Sequence, residues 1–144
     1  MSSILDFMTD KHRRCDDAFA AAEEAVSVGE WQQASEQWQQ FSKELERHLQ
    51  MEELVLFPEF EQATGNSNGP TGMMRAEHQQ MRALAHQIDT ALSGQQDEDF
   101  LGLSETLMVL MQQHNMKEEQ ALYPMADQAI STSGAVIESM QQIQ

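Results

Sequence analysis

A single cysteine, Cys15, in 144 residues excludes an intramolecular disulfide and gives no sign of an oxidising compartment. Basic side chains are scarce as well. Eight Lys and Arg stand against 24 Asp and Glu, a formal charge of −16. So acidic a surface repels phosphate backbones and anionic headgroups, which argues against nucleic acid and membrane surfaces as partners. No apolar run approaches the roughly 18 residues needed to span a bilayer, and the stretch Met1 to Met8 lacks a basic region followed by an apolar core. The expectation is a soluble, unprocessed, cytoplasmic protein. Clusters of β-branched residues alternating with period two are missing too, so no strand is expected.

What remains is helical periodicity along almost the whole chain, punctuated by seven glycines and three prolines. The first helix is predicted from about Ser3 to Val28, ending at Gly29, and the second from Trp31 to Ala63. The polar run Thr64 to Pro70 is a loop. The third helix runs from near Thr71 to Ser93 and Gly94, and the fourth from Asp97 to about Gln128. The fold class is all-α, an antiparallel up-down four-helix bundle over residues 1–130, with residues 131–144 forming a tail or a short fifth helix from Ala135 to Gln144.

An internal repeat organises the bundle. The stretch from His48 to Pro58 reads H-x3-E-E-x2-L-F-P and returns 66 residues later, from His114 to Pro124, with tyrosine in place of phenylalanine. The same offset carries His12 onto His78, so four of the five histidines obey one repeat. Within each half the two histidines are 36 residues apart. Their midpoints, residues 30 and 96, fall at the turns assigned independently from Gly29 and from Gly94 to Asp97. Residues equidistant from the turn of an antiparallel hairpin lie side by side, so all four histidines should meet at one height. Pro58 and Pro124 should bend their helices or follow an irregular turn, since proline has no amide hydrogen and crowds the carbonyl four residues back.

Steps of three and four from the histidines give the inward faces. They are Leu5, Met8, His12, Cys15 and Phe19 on the first helix and Phe41, Leu45, His48, Glu52 and Val55 on the second. On the third they are Met74, His78, Met81, Ala85 and Ile88, and on the fourth Leu107, Met111, His114, Glu118 and Ala121. Two carboxylates buried beside four imidazoles require cations or a proton-sharing network, because an uncompensated buried charge costs several kcal/mol. Metal is the economical answer, with a metal-free polar network as its rival. Six such ligands from two symmetric halves suit two ions bridged by both glutamates, and mixed nitrogen and carboxylate donors favour iron over thiolate-seeking or all-oxygen metals.

The pattern H…H-x3-E…H…H-x3-E, with E-x2-L-[FY]-P after each ligating position, resembles the hemerythrin-like (HHE cation-binding) family up to about Ala129. The resemblance implies a non-haem di-iron centre within a four-helix bundle. It would assign His12 and His48 to one iron, His78 and His114 to the other, Glu52 and Glu118 to the bridge, and an oxo or hydroxo bridge between the two iron ions. Oxygen-carrying hemerythrins place a fifth histidine one turn after the third-helix histidine, where this chain has Arg82. They also supply the fourth-helix carboxylate as an aspartate at a longer spacing, where Glu118 stands here. The four-His, two-Glu set is similar instead to that of bacterial iron-centre repair proteins and stand-alone bacterial relatives, and it leaves an open position on either iron.

Several residues nearby have plainer readings. Asp16 is expected at the surface or paired with Arg82, Cys15 as a small buried residue, and His86, which falls outside the ligand repeat, as an ordinary helix histidine. Tyr123 is expected to pack, and Glu53 and Glu119 to point away from the centre and support it from outside. The function so implied is binding or sensing of a small ligand, dioxygen above all, with peroxide or nitric oxide as alternatives. A di-iron redox enzyme (peroxidase, ferroxidase or nitric oxide reductase) and an iron storage or delivery protein are the rival classes.

Overall fold

The computed structural model describes residues 3–66 and 69–144, so Met1, Ser2 and two residues of the expected Thr64 to Pro70 loop lie outside the described residues. Helix α1 spans Ile4–Ser27, and Ser3 caps it by accepting a hydrogen bond from the Asp6 amide at 3.0 Å. Asp127, far along the chain, accepts from the Ile4 and Leu5 amides at 2.9 and 3.1 Å. The first turn of α1 is thereby tied to the last segment of the bundle, with orphan amide donors satisfied by a charge that suits the helix N-terminus.

Gly29, at φ 75°, reverses the chain into α2 (Trp31–Met51), which continues through a wide turn at Glu52–Leu56 into α3 (Phe57–Thr64). Helix α4 spans Pro70–Ser93, and a turn through Gln95 leads to α5 (Asp97–Lys117). A second wide turn at Glu118–Leu122 precedes α6 (Tyr123–Ala129), and α7 covers Ser133–Gln141. Helix α1 packs along α2 and α4 along α5, while α1 also meets α5 and α2 meets α4. This is the expected up-down bundle, with α7 as the short additional helix, and no strand occurs among the described residues.

Both wide turns are π turns. The Phe57 amide donates to the Glu52 carbonyl and the Tyr123 amide to the Glu118 carbonyl, five residues back instead of four. Their cause is the proline that follows each: the Pro58 and Pro124 rings would crowd the carbonyls of Leu54 and Gln120 in an unbroken α-helix. The extra residue shifts the inward face by one. Val55 and Ala121, expected inside, are half-buried and exposed respectively, whereas Leu56 and Leu122 are buried. The same shift carries Phe57 and Tyr123 fully into the interior.

The core is two apolar clusters with the polar centre between them. The cluster nearer the two hairpin turns contains Phe19, Trp38, Phe41 and Phe100, and the other contains Ile4, Met8, Phe57, Tyr123 and the buried face of α7. Trp38 touches Phe41 and Phe100 at ring centroid separations of 5.1 and 5.9 Å, and its indole N–H donates to Asp89. Replacing it with alanine should cost about 3–5 kcal/mol in urea unfolding, the range for deleting a large buried aromatic. Metal content should not change, because Trp38 stands ten residues before His48 on the helix, about 15 Å away.

Candidate metal centre

The six residues singled out by the repeat come together. His12 on α1, His48 on α2, His78 on α4 and His114 on α5 are each at most 4% exposed, and Glu52 and Glu118, opening the two π turns, are fully buried. The Nε2 atoms all face the carboxylates: His12 and His114 lie 3.1 and 3.3 Å from Glu118 Oε1, and His78 and His48 lie 3.0 and 3.4 Å from Glu52 Oε1. These donor atoms form two overlapping groups. Glu52, His78, His114 and Glu118 make one, His12, His48 and Glu118 the other, with the atoms of each group within 4.8 Å of one another.

Outside the centre, carboxylates fix the imidazoles. His12 Nδ1 is 2.6 Å from Glu119 Oε2, His78 Nδ1 is 2.7 Å from Glu53 Oε2, and His114 Nδ1 is 2.8 Å from Glu77 Oε1. An Nδ1 facing a carboxylate carries the hydrogen, which leaves the Nε2 lone pair of a neutral ring directed inward. The carboxylates are anchored in turn. Arg82 donates to Glu53 at 2.9 and 3.1 Å and to Glu46, and Lys117 donates to Glu77 at 2.6 Å. These cations outweigh the burial that works against ionisation, and they hold Glu53 and Glu77 below the usual carboxylate range.

Glu53 and Glu119 thus support the centre from outside, as their place in the repeat suggests. Glu77 was not legible. Its repeat mate is Lys11, so the two-fold pattern that gave Glu53 and Glu119 fails there, and only its position next to His78 could have drawn notice. The same break explains why His48 Nδ1 is buried with no hydrogen-bond partner among the described residues: where Glu77 serves His114, Lys11 cannot serve His48. Changing Glu77 to glutamine should weaken metal binding about 10–100-fold in a chelator competition titration, the usual effect of losing a carboxylate behind a ligating histidine.

Arg82 pairs with Glu46 and Glu53, not with Asp16, which is exposed on α1. Cys15 is 6% exposed, and burial, with help from Glu44 and Asp16, pushes its thiol up to about 12, so it stays protonated and unreactive. His86 is exposed and far from the centre. Tyr123 departs most from expectation. Its hydroxyl lies among the donors, 2.7 Å from Glu52 Oε2 and 2.8 Å from Glu118 Oε1. Burial and the two carboxylates hold its phenol well above the usual range in the metal-free chain.

The residues fit a cation cluster on a simple count of hydrogens. His48 Nε2, His78 Nε2, His114 Nε2, Glu52 Oε1 and Glu118 Oε2 are all buried without a hydrogen bond, although several lie close to one another. The His78–Glu52 and His114–Glu118 separations therefore lack hydrogen-bond geometry, whereas His12 Nε2 and Glu118 Oε1 satisfy it at 3.1 Å; most of the inward atoms converge on common points instead of pairing off. Leaving such groups unmatched costs several kcal/mol per ion, and cations are what the arrangement can hold.

The comparisons with known proteins agree with this chemistry. The family model described as the hemerythrin HHE cation binding domain matches residues 3–126, which include all six residues. No curated protein and no solved structure gives a match. No helix among the described residues is long and apolar enough to cross a membrane. With a match over most of its length and a buried His and Glu cluster able to hold metal, the chain belongs to the hemerythrin HHE cation-binding family.

Proposed function

We propose that the centre holds two iron ions between His12, His48, His78, His114, Glu52 and Glu118, and that the chain reversibly binds dioxygen or a ligand of similar size. Iron suits imidazole and carboxylate donors with vacant positions, and the overlap of the two donor groups at Glu118 suits a bridged pair. Bound ferrous iron would supply electrons and an open coordination position to such a ligand.

The observation that carries the small-ligand reading is a cavity of about 10 Å³ against His12, His48 and His114, walled by Leu45, Leu49, Met81 and Met111. That is the space of about one water molecule. A diatomic molecule fits with minor movement of the methionines, and an organic substrate does not. A groove of about 580 Å³ along α4 and α5, near His86 and Gly102, is open and touches none of the six residues, so its size has no bearing on this chemistry. The chain's own part is to fix the imidazoles through Glu53, Glu77 and Glu119, and to restrict the space beside them with mainly apolar side chains, the exposed Asp16 standing at its margin.

Protein produced without affinity metals should contain two iron atoms per chain. After anaerobic reduction, oxygen should produce a visible absorption band that disappears on flushing with argon and returns on re-exposure. A single irreversible oxidation overturns reversible binding, and sustained consumption of peroxide or nitric oxide assigns the centre to the redox enzymes instead.

A further inference from the structure

Tyr123 is the only tyrosine of the chain, and its oxygen occupies a donor position in the centre. It is 2.8 Å from Glu118 Oε1, 2.7 Å from Glu52 Oε2 and 3.2 Å from His12 Nε2. Two donors bound at right angles to one ion, each about 2.1 Å from it, stand about 3.0 Å apart. The tyrosine distances match that spacing, as do the 3.1 Å between His12 and Glu118 and the 3.0 Å between His78 and Glu52.

Hydrogen bonding alone does not account for the position. The phenol has one hydrogen to give, yet two carboxylate oxygens, Glu52 Oε2 and Glu118 Oε1, stand within hydrogen-bond distance of it, and His12 Nε2 already lies in hydrogen-bond geometry with that same Glu118 oxygen at 3.1 Å. The two donor groups are also unequal. The His78 and His114 group has four members and includes Glu52, whereas the His12 and His48 group has three and lacks it. Tyr123 stands between Glu52 and His12, where the missing fourth donor belongs. At the equivalent place in the other half, Phe57 stacks on His78 at 5.6 Å and offers no oxygen.

We propose that Tyr123 is a seventh protein ligand of the centre, binding as phenolate to the ion held by His12, His48 and Glu118; this rests on the di-iron reading above. When it binds, the phenol O–H bond breaks, its proton passes to solvent, and an oxygen lone pair forms the bond to the ion, with no change of oxidation state. The two ions are then chemically unlike, one with a phenolate and one without. Tyr123 belongs to the apolar cluster on the α7 side, while the small cavity is lined from the cluster on the turn side, so the phenolate leaves the ligand space free.

The test is resonance Raman spectroscopy of the full-length chain loaded with ferric iron, alongside Tyr123→Phe. Tyrosine ring vibrations should be enhanced on excitation in the visible band, shift when the tyrosine is ring-deuterated, and vanish in Tyr123→Phe while helix content by circular dichroism is kept. Iron-loaded wild-type protein without those vibrations overturns the tyrosine ligand while leaving the di-iron reading intact. A wild-type chain that takes up no iron overturns both. The wild-type spectrum decides alone if the variant does not fold.

Discussion

Glu118→Gln should empty both metal positions, whereas Glu52→Gln should leave about one ion per chain. The asymmetry follows from the donor groups: Glu118 belongs to both, whereas Glu52 belongs to that of His78 and His114 and meets the other only at His48, 3.4 Å from its Oε1. Glutamine keeps the shape of the side chain but removes the charge that the two proposed cations would share. The loss should exceed the roughly 10–100-fold that follows from removing a carboxylate behind a ligand, because on the proposed reading Glu118 is itself a ligand. Elemental analysis after identical loading, with circular dichroism to verify folding, reads the result directly. Two ions retained in Glu118→Gln would show that the shared oxygen is not what holds the pair together.

Much of this centre was legible because it depends on spacing. An offset of 66 residues and two turns equidistant from their histidines are properties of the sequence, and an antiparallel helical hairpin converts them into height without further information. What was not legible depends on departures from the regular helix or from the repeat. The faces after Glu52 and Glu118 slipped by one residue because steps of three and four assume the α period, and the prolines impose a π turn whose length sequence does not reveal. Tyr123 reads as a packing residue on an α-helix, and only the wide turn brings its hydroxyl to Glu118, five residues before it. Glu77 was hidden because Lys11 takes its place in the other half. The anchoring of α1 by Asp127 joins residues more than 120 apart and leaves no local pattern.

Metal-free protein should lose stability as the pH rises from about 6.5 to 10, and loading with metal should abolish that decline. In the metal-free chain burial works to lower the pKa of His48, but the charge of Glu52 and contacts with Glu118 and Glu52 prevail and raise it to about 10. For His114 burial again acts downward and is outweighed by Glu118, Glu52 and Glu77, giving about 8. Both values lie above the 6.5 of an unfolded histidine, so the folded state holds more protons than the unfolded one and stability falls with rising pH. The contribution is complete below 6.5 and is lost as the pH passes about 8 and then about 10, His114 alone accounting for about 2 kcal/mol.

Glu118, Glu53 and Glu77 set the opposite limb. Burial opposes their ionisation but their partners win, so their carboxyls titrate below 4.5, and their contribution is present above that value and lost as acid protonates them. The metal-free optimum therefore lies between about pH 4.5 and 6.5. Cations remove the alkaline limb by taking the place of the protons, since a ligating Nε2 needs its lone pair. Loading at pH 7 must then expel the protons that His48 and His114 still hold, and a weakly buffered solution should acidify as metal is added. Urea midpoints of chelator-treated protein across this range, with a pH indicator during metal titration, measure both effects. A midpoint that stays flat from about pH 6 to 9, or metal uptake without proton release, would mean that the carboxylates are not what the two imidazoles answer to in the empty centre.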